Sequence, residues 1–405
     1  MTDTETETET EIALRPTVKL RPGKGKRLAT GAPWAYADEI AMDRRTRALP
    51  PGAVVRLMEG ETALGVAAFN GQSQIAARLL DPDPEAEIDT GWFAERLRAA
   101  LGLRAALYET PFYRLVHAEG DGLPGLVIDR FGDALAIQPN AAWVDRRLEA
   151  LTEAAVSVTG ATRVVVNATA RVRLLEGLEP HVTVTAGTLD APLEVPMTGA
   201  IYLADLVGGQ KTGLYFDQRP NHAFAARIAC GARVLDVFSH VGGFALACLA
   251  GGAAEAVAVD SSEPALTLAA EGARRTGVAG RFRAEKADAF AALSAYAAEG
   301  AAFDVTICDP PAFAPSKPAL ANGLRAYERV ARLAARTVRP GGWLILCSCS
   351  HAVDAESFLR ASATGIRRTG RAAQLVHSGR AGPDHPQHPA LPETGYLKAL
   401  AFRLP

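Results

Sequence analysis

The sequence has 405 residues, with 43 Lys and Arg against 45 Asp and Glu, a formal net charge of −2, and 48% apolar against 22% charged residues. Domains typically run ~100 to 200 residues, so this length excludes a single core and predicts two or three. The near-neutral balance excludes a uniformly cationic nucleic-acid coat, and no stretch reaches the roughly 18 to 20 apolar residues of a membrane span.

The chain opens with MTDTETETETEI, and residues 1–15 are expected to be a disordered acidic tail. It lacks the basic and apolar regions of a signal peptide, so a cytoplasmic protein without a membrane partner is expected. Residues 16–90 hold short apolar runs broken by Pro and Gly (VKL, AVVRLMEG, ALGVAAFN, QIAARLL), the pattern of a small β-rich module. Between Arg15 and Arg56 ten basic residues, Lys24, Lys26 and Arg27 among them, face three acidic ones. That excess is compatible with phosphate contacts, and equally with a solvated basic face.

Asp81-Pro-Asp-Pro-Glu reads as a turn-rich linker. Trp92 to Leu107 has apolar residues at helical spacing, and the extended runs RLVHAEG, GLVIDRFG and ALAIQ follow between Gly-rich turns. A central α+β domain over 91–194 is predicted. From 195 to 405 the pattern alternates strand, turn and helix: RVLDVF then FALACLAGG, AVAVD then PALTLAAEGARRTG, FDVTICD then a helix near Ala326 to Thr337, and WLILCSCS then another helix. This predicts a doubly wound α/β domain of Rossmann-like type, binding ligands at the carboxyl ends of parallel strands.

The run RVLDVF ends in Ser239-His-Val-Gly-Gly-Phe, where Gly242 and Gly243 let backbone approach a ligand. The dinucleotide pattern G-x-G-x-x-G is missing, which disfavours a nicotinamide dehydrogenase. Asp236 inside the strand would repel a pyrophosphate and favour a cation such as the sulfonium of S-adenosylmethionine. Asp260 ends the second strand, where a carboxylate can accept ribose hydroxyls, and Asp288-Ala289-Phe is expected at the end of the third, near an adenine amino group. Each acid alone is equally a helix cap. Three at successive strand ends point to a donor pocket.

Asp309-Pro310-Pro311-Ala-Phe313 closes the strand FDVTIC, and two prolines make a stiff loop able to grip a planar base. Cys230, Cys248, Cys308, Cys347 and Cys349 form no C-x-x-C pair, so free thiols and no metal site are expected. If residues 343–349 are extended, Cys347 and Cys349 share a face and Cys349 lies nearest the ligand-binding lip. A thiolate suits carbon methylation of a pyrimidine, since addition at ring position 6 makes carbon 5 nucleophilic. Asp309 would then hydrogen-bond or protonate the ring nitrogen. Lys317 reads as a phosphate contact or a solvated lysine.

KTGLYFDQR (211–219), VLDVFSHVGGF (234–244), DPPAFAPSK (309–317), CSCSH (347–351) and GPDHPQHPALPETGYLKAL (382–400) occur with LRPGKGKRLATGAPWAYADEI (20–40) and YRLVHAEGDGLPGLVIDRFGD (113–133). Together they resemble the bacterial large-subunit (23S) ribosomal RNA cytosine-5 methyltransferases, over nearly the whole chain. The resemblance implies an N-terminal PUA domain (an RNA-binding β-barrel), a small central α+β domain, a C-terminal methyltransferase domain and often a homodimer. It implies Cys349 as nucleophile assisted by Asp309, donor binding by Asp236, Asp260 and Asp288, and Phe216, Asp217 and Arg219 at the cofactor side. On residue pattern alone Asp217 reads as a helix cap. The expected partner is 23S ribosomal RNA or a large-subunit precursor. Transfer to another base, and a non-catalytic RNA-binding assembly factor, are the competing readings.

Overall fold

The computed structural model describes residues 15–209, 213–300 and 302–405. The expected disordered tail therefore lies outside the described residues save Arg15, as do Lys211 and Thr212 of the KTGLYFDQR motif. The chain divides into two compact units, one of residues up to Asp190 together with Asp384–Pro392, the other of Ala191–Pro383 with Glu393–Pro405.

The first unit contains two five-stranded sheets. In the first, Thr17–Lys19 pairs parallel with Ala53–Glu59, which continues antiparallel through Thr62–Phe69 and Ile75–Asp81 to Trp34–Tyr36. Alternation along Ala53–Glu59 sends Val55 and Leu57 inward, against Val18, Ile40 and Phe69. The second sheet orders Val182–Ala186, Arg163–Asn167, Ala134–Pro139, Leu126–Phe131 and Phe112–His117. The helices Thr90–Leu107 and Leu148–Thr159 accompany it. Asp89 caps the first of them by accepting from the Trp92 N–H at 2.7 Å, and Phe93 stacks on Trp143 with ring centroids 5.8 Å apart.

The sequence pattern gave 195–405 to the last domain, but Asp384–Pro392 leaves it for the first unit. Polar pairing accounts for this. The Asp384 carboxylate accepts from Tyr108 Oη at 3.1 Å and the Arg114 N–H at 3.1 Å, and its carbonyl accepts from the fully buried Arg104 at 2.7 Å.

The second unit starts with the hairpin Leu193–Met197 and Ala200–Ala204, whose first strand contains the expected boundary. Its main body is α1 (Arg219–Ile228), β1 (Arg233–Val237), α2 (Gly243–Ala250), β2 (Glu255–Asp260), α3 (Glu263–Thr276), β3 (Phe282–Lys286), α4 (Ala289–Ala298), β4 (Phe303–Cys308), α5 (Leu320–Ala335), β5 (Val338–Ser348), α6 (Ala355–Arg367), β6 (Gln374–Gly379) and β7 (Lys398–Leu404). The sheet order is β3-β2-β1-β4-β5-β7-β6. β1 to β5 are parallel, and β7 pairs antiparallel with both β5 and β6. The order reverses between β1 and β4, so their carboxyl ends form the crevice where such sheets bind ligands. The central strands are continuous apolar runs because both faces are covered, as Leu235, Val237, Val257, Val259, Leu344 and Leu346 in the core attest.

Candidate active site

The turn leaving β1 is the first wall of the crevice. Phe238, His240 and Gly242 all take positive φ, at 64°, 50° and 77°. For the two non-glycines this costs about 1–3 kcal/mol each, which neighbouring bonds must hold. Ser239 N–H donates to Val259 O at 3.0 Å, His240 N–H to Asp260 Oδ2 at 2.8 Å, and Gly242 N–H to Ser239 O at 2.8 Å.

Asp236 is fully buried and accepts from the Ala245 N–H at 2.9 Å through Oδ2, while Oδ1 is unpartnered. Burial pushes its carboxyl pKa up to about 7, with the nearby Asp260 adding to the rise. Asp260 ends β2, and its Oδ1 accepts from the Ser262 N–H at 2.8 Å, leaving second lone pairs on both oxygens for a ligand. Asp288 does not end a strand as expected. β3 stops at Lys286, and Asp288 is the exposed N-cap of α4, accepting from the Ala291 N–H at 2.9 Å beside buried Ala289.

Asp217 is not the cap of α1 that its position suggests. It lies in a 3-10 turn of Phe216–Gln218, and α1 begins without a side-chain cap. Its Oδ2 accepts from Tyr396 Oη at 2.7 Å, and its carbonyl accepts from the Gly382 N–H at 2.9 Å. Arg219 lies over the buried Phe216 ring at 5.3 Å.

Asp217 Oδ1, Asp236 Oδ1, Ser239 Oγ and His222 Nδ1 are buried polar atoms without a hydrogen-bond partner. His222 adjoins the β1 turn closely enough that a Cβ on Gly243 would meet its Nε2 at 2.9 Å. Orphaned buried acceptors call for a ligand bearing donors. A nucleoside sulfonium with ribose hydroxyls and an ammonium group fits that demand, so the residues present suit S-adenosylmethionine.

The second wall follows β4. Asp309 N–H donates to Val237 O at 3.2 Å, tying the Asp-Pro-Pro loop to the β1 turn. Pro310 is buried and Pro311 exposed, and the half-buried Phe313 packs against Tyr327 at 4.9 Å. Lys317 is exposed. The Ser350 hydroxyl accepts from the Ala314 N–H at 3.1 Å and pairs with Tyr327 Oη at 2.7 Å, joining this loop to the segment after β5.

Sequence reasoning put Cys347 and Cys349 on one strand face. Instead β5 ends at Ser348, so strand alternation stops before Cys349. Cys347 is buried, with burial raising its thiol pKa well above the ordinary value, and Cys349 is half-exposed. Cys349 Sγ points at Pro310 O, 4.0 Å away. All five cysteines are free.

Three residues that pattern reasoning passed over complete the site. Tyr215, its ring 5.1 Å from His240, faces Asp217, Asp309, Cys349 and Asp260, and burial raises its phenol pKa. Tyr396 holds Asp217, and Lys398 donates to the carbonyls of Ser350 and Val353 at 2.8 and 2.7 Å. A lysine inside the apolar run LKALAF was the one sequence signal for the last. Lys24, Lys26 and Arg27 belong to the first unit, on and before the short helix Lys26–Ala29. Arg27 lies over the Tyr36 ring at 5.0 Å and 3.9 Å from Glu39. Among the described residues no group of three or more His, Cys, Asp or Glu is arranged to hold a metal, and no helix is long and apolar enough to cross a membrane.

A parallel sheet with acids at the β1 and β2 ends and an Asp-Pro-Pro loop after β4 defines a Rossmann-like methyltransferase. Residues 135–403 match the S-adenosylmethionine-dependent methyltransferase family model, and residues 18–82 match a PUA-like domain. The chain is 34% identical over 392 residues to the ribosomal RNA large subunit methyltransferase I of Erwinia tasmaniensis, covering 95% of this chain and 98% of that one. It is 36% identical over 393 residues to the protein of that name from Photobacterium profundum, covering 95% and 98%. In fold it is similar to a Streptococcus mutans protein described as a SAM-dependent methyltransferase, with TM-score 0.81, 18% identity, and 96% and 100% of the two chains covered. The chain belongs to the S-adenosylmethionine-dependent methyltransferase family that includes these large-subunit enzymes.

Proposed function

We propose that this protein methylates carbon 5 of a cytosine in 23S ribosomal RNA, with Cys349 as nucleophile. The observation that carries this reading is Cys349 Sγ facing the Pro310 carbonyl of the Asp-Pro-Pro loop at 4.0 Å. Methylation of a ring nitrogen needs no thiol at that place, whereas methylation of carbon 5 needs a nucleophile at carbon 6. The relatives' names supply the substrate class, and the PUA-like domain suits an RNA partner.

S-adenosylmethionine, when bound, supplies an electrophilic methyl group on a sulfonium. Asp217, Asp236, Ser239 and Asp260 would hold it, with Phe216, Arg219, Gly242, Asp288 and Ala289 on its side of the crevice. Pro310, Pro311 and Phe313 grip the cytosine. The Cys349 thiolate adds to ring carbon 6, and Asp309, in its carboxylic acid form, donates a hydrogen bond to the ring nitrogen that gains electron density. Carbon 5 would take the methyl group as the methyl–sulfonium bond breaks, leaving the neutral thioether S-adenosylhomocysteine. A base then removes the carbon 5 hydrogen, and the bond from carbon 6 to the Cys349 sulfur breaks as the ring double bond reforms. Lys24, Lys26, Arg27 and Lys317 contact phosphates. A base in a loop or in unfolded RNA is the suitable target, since flipping a paired base costs a few kcal/mol. We further place the protein in the cytoplasm as a homodimer.

The test is incubation with labelled S-adenosylmethionine and ribosomal RNA from a strain lacking the gene, followed by mass spectrometry of nucleosides. Label in 5-methylcytosine supports the proposal. Label in another nucleoside overturns the cytosine chemistry.

A further inference from the structure

We infer that Lys398 is a positioning residue for Cys349, clamping the turn that carries the thiol and setting a buried positive charge beside it. The inference rests on the reading of Cys349 as nucleophile. Lys398 is the first residue of β7 and pairs with Ser348, the last of β5, so its side chain rises where the strand releases Cys349. Its ammonium donates to Ser350 O at 2.8 Å and Val353 O at 2.7 Å, closing both ends of the turn between β5 and α6.

Lys398 is only 9% exposed, and among the described residues no carboxylate lies within ion-pair distance of it. A buried ammonium without an ion-pair partner is expensive, and an apolar side chain would fill the same place more cheaply. Two groups of negative potential face it, Cys349 and Asp354. Asp354, the N-cap of α6, accepts from the Ser357 N–H at 2.7 Å, which holds it ionised, so it is a standing charge, and Cys349 is the group whose charge is still to be gained. Burial lowers the Lys398 pKa to about 8, and Cys349 and Asp354 act against that fall. The interaction is reciprocal, so a charged Lys398 favours the Cys349 thiolate. Among the described residues the phenols of Tyr215 and Tyr327 also face Cys349, both with raised pKa and therefore neutral near pH 7. Asp309 lies on the loop whose Pro310 carbonyl the thiol meets, and its charge when ionised opposes the thiolate and makes a nearby cation more needed.

The test reads the thiol directly. In a Cys230→Ser background, which removes the exposed thiol, iodoacetamide alkylation of Cys349 is followed from pH 6 to 10 by peptide mass spectrometry. Lys398→Met is expected to raise the alkylation midpoint by about one unit or more, and Lys398→Arg to keep it near that of the parent. Methylation turnover of Lys398→Met is expected to fall about tenfold at pH 7 and recover toward pH 9, with KM for RNA within about twofold. A midpoint equal in parent and folded Lys398→Met overturns the inference. If Lys398→Met does not fold, Lys398→Gln replaces it and is read in the same way. Methylation surviving in Cys349→Ala would sink the nucleophile reading, while the alkylation midpoints would still decide whether Lys398 tunes this thiol.

Discussion

Cys349 Sγ stands 4.0 Å from the carbonyl oxygen of Pro310, so a thiol on the turn after β5 and a stiff loop after β4 meet across one crevice. The Ser350 hydroxyl keeps them in register by bonding to Ala314 of that loop and to Tyr327 of α5. The thiol's place is thus set by residues from three elements.

Asp236 couples stability to pH. Its folded pKa is raised to about 7 from 3.8, so between those values the folded chain holds a proton that the unfolded chain has lost. Folding stability from this group therefore falls as pH rises through that window and is level above it. His117 and His222 act in the opposite sense. Burial lowers their folded pKa values to about 2 and about 3 from 6.5, so the unfolded chain takes up more protons as pH falls below 6.5. These histidine contributions cancel when Asp236→Asn is compared with the parent. Denaturant unfolding at pH 5 and pH 8 should show the variant gaining relative stability at the higher pH, on the order of a few kcal/mol. Parallel profiles would contradict the buried, proton-holding carboxyl.

Tyr396→Phe removes the hydroxyl that donates to Asp217 Oδ2 at 2.7 Å. With Oδ1 already unpartnered, the buried carboxylate loses its side-chain donor, a cost of about 1–3 kcal/mol. Calorimetry with S-adenosylhomocysteine should show affinity weakened by about tenfold along with a lower melting temperature. Melting lowered with unchanged affinity would separate Asp217 from donor binding.

Lys24→Ala combined with Lys26→Ala tests the basic stretch. Each phosphate contact to single-stranded RNA contributes about 0.7 to the slope of log affinity against log salt, so the pair should reduce that slope by about 1.4. Binding should weaken to similar degrees for different RNA sequences. An unchanged slope would make these side chains a solvated face.

The alternating sheet of the second unit was legible because buried parallel strands read as apolar runs, RVLDV and FDVTIC being the plainest. The acids at the strand ends were legible by type but not by task, since a cap and a ligand contact look alike in sequence. Asp288 caps α4, and Asp217 accepts from Tyr396, 179 residues away, bonds that sequence spacing alone does not give and that are compatible with a ligand contact as well. The excursion of Asp384–Pro392 could not be read from pattern, because it depends on Arg104 and Arg114, some 270 residues earlier, meeting Asp384. Lys398 carried a local signal, a charge within an apolar run, but its meaning required the Ser350 and Val353 carbonyls to be seen closing around it.

The central claim is that Cys349 bonds covalently to the target base, and RNA carrying 5-fluorocytidine tests it most directly. Fluorine at carbon 5 cannot leave as a proton, so the adduct persists after methyl transfer. With S-adenosylmethionine present, the parent protein should run as a protein–RNA conjugate on a denaturing gel, with the modified peptide containing Cys349, and Cys349→Ala should give none. A conjugate formed equally well by Cys349→Ala, or none from a parent protein that methylates unsubstituted RNA, would contradict the account.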